Sequence, residues 1–158
     1  MNPSQVLVLA FFIGVVAGLS SLTAPAVVAW AAHQNWLNLH NTPLFFIGSI
    51  AAVAIFTLLA VGELVADQLP STPSRLKPPG IIARIILGGL SGAGIAVAGA
   101  QSIALGAVLG AVGGIAGAFA GYEVRTRIVK TLRVPDLIIA LSEDALAIAG
   151  GLFIVSRF

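Results

Sequence analysis

Residues Ile81–Gly121 read IIARIILGGLSGAGIAVAGAQSIALGAVLGAVGGIAGAFAG, and the architecture of the whole chain follows from this stretch. It holds one charged residue, Arg84, and its glycines recur at four-residue intervals. Because helices in a bilayer associate by close backbone approach over small residues, this pattern predicts membrane helices packed on their glycine faces. The predicted packing positions are Gly88, Gly92, Gly106, Gly110, Gly114, Gly117 and Gly121.

The same stretch is too long for one crossing of a membrane. A single helix of this length would span about 61 Å at 1.5 Å per residue, twice a hydrocarbon core of roughly 30 Å. The polar, flexible segment Gly99–Ser102 is the place where it can turn back. We therefore expect two antiparallel helices in a tight hairpin.

The composition indicates a single integral membrane domain over residues 1–158. Hydrophobic residues make up 58% and charged residues 9% of the chain, and its mean hydropathy is +1.05. Soluble domains carry about 25% charged residues. With no cysteine, a net charge of only +2 and basic residues in short loops, we expect the lipid bilayer as partner, and neither nucleic acid, a metal site nor a cofactor.

Hydropathy and punctuation by proline and glycine predict an all-α bundle of about five membrane spans. The predicted spans cover residues 5–32, 44–67, 81–99, 103–124 and 137–155. With the N-terminus inside and the C-terminus outside, seven of the eight Lys and Arg residues fall on the inner side. Because cytoplasmic loops are enriched in Lys and Arg, this orientation is the expected one. Asp136 stands where the N-cap of the last span belongs.

The first predicted span contains an unusual polar segment in its middle. Ser20, Ser21 and Thr23 come just before Pro25. Proline removes a backbone hydrogen bond, and neighbouring hydroxyls can satisfy the groups it frees. Two interpretations remain open: a continuous helix with a structural kink, which we favour, and a broken helix that lines a substrate path.

Ionisable residues of several spans fall at one depth, on the inner third of the bilayer. Glu63, Arg84, Glu143 and Asp144 lie about 6–12 Å inside their spans at 1.5 Å per residue. A charge near mid-membrane costs about 2.5–3.5 kcal/mol even on lenient scales, so such groups usually pair or line a wet cavity. The layer is either a salt-bridge network, with Arg125 and Arg127 as further partners, or a proton or cation site.

Four sequence motifs resemble those of a known protein family. They are Ala17-Gly18-Leu-Ser-Ser-Leu-Thr-Ala-Pro25-Ala26, Glu63-Leu-Val-Ala-Asp67-Gln-Leu-Pro-Ser-Thr-Pro-Ser-Arg75, Ala120-Gly-Tyr-Glu-Val-Arg125 and Glu143-Asp-Ala-Leu-Ala-Ile-Ala-Gly-Gly151. Together they resemble the bacterial family of small integral membrane proteins called domain of unknown function 4126. The resemblance implies a multi-pass protein of the bacterial inner membrane, and it implies no reaction, ligand or partner.

Three functions are compatible with these features. The first is a proton- or cation-linked transporter or channel, acting alone or as a homodimer, with Glu63, Glu143 and Asp144 as its site. Spans one and two would then form an inverted repeat with spans four and five, as in many transporters. The second is an accessory subunit of a larger membrane complex. The third is an enzyme acting on lipid head groups, which we rank last because no nucleophile–base pair is visible; we expect no enzymatic activity.

Overall fold

The computed structural model describes residues 1–68, 76–132 and 135–158, and within these ranges all regular secondary structure is helical. This confirms the predicted all-α class. The described part contains six α-helices and one short 3-10 helix, Phe45–Gly48. The α-helices are α1 Pro3–Leu19, α2 Thr23–His33, α3 Ile50–Ala66, α4 Pro78–Ala98, α5 Ile103–Leu132 and α6 Asp136–Val155.

Helices α4 and α5 form the predicted hairpin. The chain turns between Ala98 and Ile103, and Ala100 adopts a left-handed conformation with φ of 55°. A Cβ atom built on Gly88 would lie 2.6 Å from the carbonyl oxygen of Gly110. Backbone therefore lies directly on backbone, as the four-residue glycine spacing predicts.

The second glycine row of α5 packs against α1. Gly113 lies against the carbonyl group of Phe11, and Gly117 lies against that of Val15. A Cβ atom on Gly18 would come within 2.5 Å of the backbone nitrogen of Ala118. Helices α1, α4 and α5 thus form one unit, the glycine core, in which α1 runs parallel to α5 and antiparallel to α4.

The predicted first span over residues 5–32 is wrong as a single crossing, because the chain reverses at Ser20–Leu22. Val16 packs on Gly150 and Val27 packs on the adjacent Gly151, so both valines lie at one depth. In a continuous helix they would be about 16 Å apart along the axis. The favoured kink is therefore replaced by a break.

Proline has a different role in this break from the one expected. Pro25 lies in the first turn of α2, where a backbone N–H has no partner within the helix. It therefore begins a helix instead of kinking one. Ser20 adopts an extended conformation with φ of −139° and ψ of 111°, which ends α1.

Contacts along the helices show that consecutive helices alternate in direction. Val6 lies against Gly99 near one end of α4, whereas Arg84 near its other end bonds to Gly18 at the end of α1. Val28 lies against Gly94, so α2 returns to the end from which α1 started. We call the end with Gly99–Ser102 the turn end and the end with Lys77, Arg84, Arg125, Arg127 and Lys130 the basic end.

Both termini lie at the turn end. This arrangement does not confirm the prediction that they lie on opposite sides, with the N-terminus on the side of the basic loops. Its cause is the reversal inside the first predicted span, which adds one change of direction. Arg75 and Arg133, two of the residues that support the orientation, lie outside the described ranges.

Several predicted boundaries also shift. Helix α4 begins at Pro78, three residues before the predicted start at residue 81, because proline is compatible with the first positions of a helix. Asp136 is the first residue of α6 and not its N-cap, which is Pro135. Helix α5 continues well beyond residue 124, and α6 passes through Glu143, Asp144 and the glycine pair without interruption.

Among the described residues, three helices are long and apolar enough to cross a membrane: Pro78–Ala98, Ile103–Thr131 and Asp136–Val155. Helices α1 and α3 are equally apolar but have 17 residues each. Large hydrophobic side chains cover the outside of the bundle, among them Ile50, Leu58 and Leu146. Such an exterior suits hydrocarbon, and the protein is a helical membrane protein by this measure.

Candidate functional site

The candidate site is the point where α1 and α2 meet, which we call the hairpin tip (Ser20, Ser21 and Leu22). The last carbonyl groups of α1 and the first amide groups of α2 have no partner within their own helices. The helix dipoles add partial negative charge at the end of α1 and partial positive charge at the start of α2. Ser20 and Ser21 are buried, so these polar groups need partners from the protein.

Glu63 of α3 satisfies the start of α2. Its Oε1 atom accepts hydrogen bonds from the amide of Ser21 at 2.9 Å and from the hydroxyl of Ser21 at 2.5 Å. Its Oε2 atom accepts from the amide of Leu22 at 2.7 Å and from the hydroxyl of Ser20 at 3.1 Å. Each carboxylate oxygen thus has two donors, which is the arrangement of a strong, charge-assisted site.

Arg84 of α4 satisfies the end of α1. Its Nε atom donates to the carbonyl oxygen of Gly18 at 3.0 Å, and its Nη1 atom donates to that of Gly80 at 3.0 Å. Its Nη2 atom lies 4.0 Å from Oε1 of Glu63, and the residue is only 5% exposed. The cation therefore lies at the negative end of one helix and the anion at the positive end of the next.

Thr23 completes the hydroxyl network of the hairpin tip. Its Oγ1 atom lies 2.8 Å from the Oγ atom of Ser20. Because Ser20 uses its proton toward Glu63, Thr23 supplies the proton of this second bond. Ser20, Ser21 and Thr23, predicted only as residues of a kinked span, therefore belong to the same site as Glu63 and Arg84.

Of the other acids in the predicted layer, Glu143 meets Arg125, which lies toward the basic end of α5 and also binds Asp136. Arg125 donates to both carboxylate oxygens of Asp136, at 2.8 and 2.5 Å, and to Oε2 of Glu143 at 3.4 Å. Asp67 at the end of α3 also interacts electrostatically with Arg125. Glu143 and Asp144 are 8% and 7% exposed, so they face the protein and not the lipid.

The Glu63–Arg84 group and the Glu143–Arg125 group lie at a similar depth in the bundle. Glu143 is seven residues from Gly150 toward the basic end of α6, which is about 10 Å. Ser20 and Ser21 are four and five residues beyond Val16, the neighbour of Gly150. Glu63 lies 4.0 Å from Arg84, whereas Glu143 pairs with Arg125 at 3.4 Å. Arg127 pairs with Glu123 on the surface at 2.7 Å.

Four groups of the site belong to the backbone and were not indicated by the residue types. They are the amides of Ser21 and Leu22 and the carbonyl groups of Gly18 and Gly80. The available signal was the spacing of Ser20, Ser21 and Pro25, since hydroxyl residues followed by proline also mark the start of a helix.

No protein-family model, curated protein or solved structure matches this chain. The resemblance to domain of unknown function 4126 therefore stays a prediction. What the arrangement can do follows from its chemistry alone. The partly buried carboxylate of Glu63 bridges α3 and a helix break. A carboxylate that accepts a proton loses acceptor capacity, in this case toward the hairpin tip.

Proposed function

We propose that the protein is a small proton-linked transporter of the bacterial inner membrane. The observation that carries the proposal is the partly buried carboxylate of Glu63 at the hairpin tip, with the buried Arg84 beside it. Helices broken at membrane depth, with their ends directed at charged groups, are typical of secondary transporters. Ionisable groups inside a bundle usually mark an ion or proton path.

The direction of the helices supports the same proposal. The three-helix unit α1–α3 begins at the turn end with α1, and the three-helix unit α4–α6 begins at the basic end with α4. The two halves therefore have opposite topology, which is the arrangement of transporters built from inverted repeats. The proposed repeat therefore relates helices α1–α3 to helices α4–α6, and no longer relates predicted spans one and two to spans four and five. By the positive-inside rule we assign the basic end to the cytoplasm and both termini to the opposite side.

Protonation of Glu63 would couple proton binding to a movement of helix α3. This helix packs mainly on α2 and on the 3-10 helix, and only Val53 and Ala60 of its residues are buried. Its polar links to the rest of the bundle include the Glu63 bonds and a 2.9 Å bond from Trp30 to Thr57. A neutral carboxyl group binds amide donors less strongly, so α3 and the tip separate more easily.

A proton-flux assay in liposomes tests the function. The purified protein is reconstituted with an internal pH-sensitive dye, and a potassium gradient with valinomycin drives protons inward. We expect the wild type to acidify the lumen and Glu63→Gln to do so at least about tenfold more slowly, as for loss of an essential proton-accepting group. Glu123→Gln, which removes a surface carboxylate, is the matched control and keeps the wild-type rate.

Two results would contradict the proposal. One is wild-type flux equal to that of protein-free liposomes. The other is a second polypeptide in fixed ratio, found by native mass spectrometry after gentle extraction, which would instead indicate an accessory subunit. A Glu143→Gln/Asp144→Asn variant tests whether the second acidic group is on the same path.

A further inference from the structure

The donors around Glu63 form a complete binding site for a carboxylate, and most of the site does not belong to α3. Four donors come from the hairpin tip, two to each oxygen of the carboxylate. Arg84 of α4 adds a positive charge at 4.0 Å. Ser20, Ser21 and Arg84 are each at least nine-tenths buried. Only the occupant, the side chain of Glu63, comes from the peripheral helix α3.

Removal of this occupant would leave a buried cation and several unpaired donors. Such a state is costly, because an unsatisfied buried polar group costs about 1–3 kcal/mol and a charged one costs more. An anion of the same shape would restore every interaction. We propose that the hairpin tip binds a small monocarboxylate, such as formate or acetate, in place of the Glu63 side chain.

This inference rests on the proposed function and specifies its substrate class. When Glu63 takes up a proton and withdraws, one monocarboxylate enters the tip, so the charge of the site is unchanged. The charged groups around this exchange are Arg84 on α4 and Asp67 one turn along α3, with Glu143 and Asp144 at a similar depth on α6. With one proton and one anion bound, the site has the same charge as before, so this transport is electroneutral. The potential-driven flux in the liposome assay is instead the movement of the protonated site without an anion, which carries one extra positive charge.

The wild type should bind free carboxylate weakly, because its own side chain competes. A tethered group acts at an effective concentration of millimolar order or higher. The variant Glu63→Ala removes the competitor and keeps all the donors. It should therefore bind [14C]formate in detergent at least about tenfold more tightly than the wild type does.

Binding of [14C]formate to full-length protein tests the inference directly. Glu63→Ala should show saturable binding that cold acetate displaces and chloride does not, and Glu63→Ala/Arg84→Met should lose it. Glu123→Ala is the control and should behave as the wild type. If Glu63→Ala does not fold, the larger Glu63→Gln variant is used, and folding of Glu63→Ala only when formate is present during extraction also supports the inference.

The inference is overturned if neither variant binds formate better than Glu123→Ala, or if chloride binds as tightly as formate. Its failure is distinguishable from failure of the proposed function. If Glu63→Ala binds formate but the wild type moves no protons, the carboxylate site is supported and the transporter function is refuted. If the wild type moves protons but neither variant binds formate, the proposed transporter function stands and the carboxylate site is refuted.

Discussion

The glycine core and helix α3 are both apolar, yet they are held in the protein by different forces. In α1, α4 and α5, backbone lies on backbone, and a methyl group on Gly110 would overlap the carbonyl oxygen of Gly88. On α3, the space around Gly62 is open to 4 Å, and large side chains such as Leu58 point outward. Tight packing fixes the core, whereas polar bonds through Glu63 attach the edge. An apolar helix can thus be held by its charges.

The largest expected effect comes from removing the cation that both regions share. Arg84→Met leaves the Glu63 carboxylate and the Gly18 carbonyl group without this partner, so we expect a loss of about 3–5 kcal/mol in unfolding free energy. SDS-induced unfolding followed by circular dichroism measures it. Glu63→Gln in the same chain should recover part of the loss. A loss no larger than that of Arg127→Met, a surface cation, would contradict this account.

The next largest effect is a difference in stability between two variants, each of which adds one methyl group, one in the glycine core and one on α3. Gly110→Ala forces the backbones of α4 and α5 apart, and we expect a loss of about 3 kcal/mol, the upper part of the range for overpacking. Gly62→Ala meets no neighbour and should leave stability unchanged or raise it by about 0.4–1 kcal/mol. Both are measured by SDS-induced unfolding. Equal losses for the two variants would show that the glycine core is not the tighter region.

A smaller effect is expected where α2 and α3 share one hydrogen bond. Thr57→Val keeps the shape of the side chain but removes the acceptor for Trp30, and interhelical bonds of this kind contribute about 0.6 kcal/mol on average. Because the chain has no native cysteine, spin labels at Leu58→Cys and Leu105→Cys can report the distance from α3 to α5. We expect a broader distance distribution in Thr57→Val. Ser91→Ala, which removes a bond within α4, should not broaden it.

The smallest effect is expected at the surface. Glu123 and Arg127 are exposed and pair one turn apart on α5, so Glu123→Gln should change the unfolding free energy by at most about 0.5 kcal/mol. The change should shrink further in 1 M salt, where exposed charges are screened. A loss of more than 1 kcal/mol would mean that this pair belongs to the buried network.

The sequence predicted those features that depend on local spacing. Glycines four residues apart predicted the α4–α5 hairpin, and the charge pattern predicted that Glu63 and Arg84 lie at one level. It did not predict the reversal at Ser20–Leu22. A hydrophobic run with a polar centre is compatible with one long kinked helix or two short ones. The choice depends on partners 42 and 66 residues away, which no local pattern contains.

That separation in sequence also constrains how the protein is made. The hairpin tip leaves the ribosome long before its partners do, and Arg84 follows Gly18 by 66 residues. At about 5–20 residues per second, the gap is roughly 3–13 s. During this time the ends of α1 and α2 have neither their cation nor their carboxylate. Insertion of α1 and α2 to their final depth must therefore wait for α3 and α4, so these two helices are among the last to settle in the membrane although they are made before their partners.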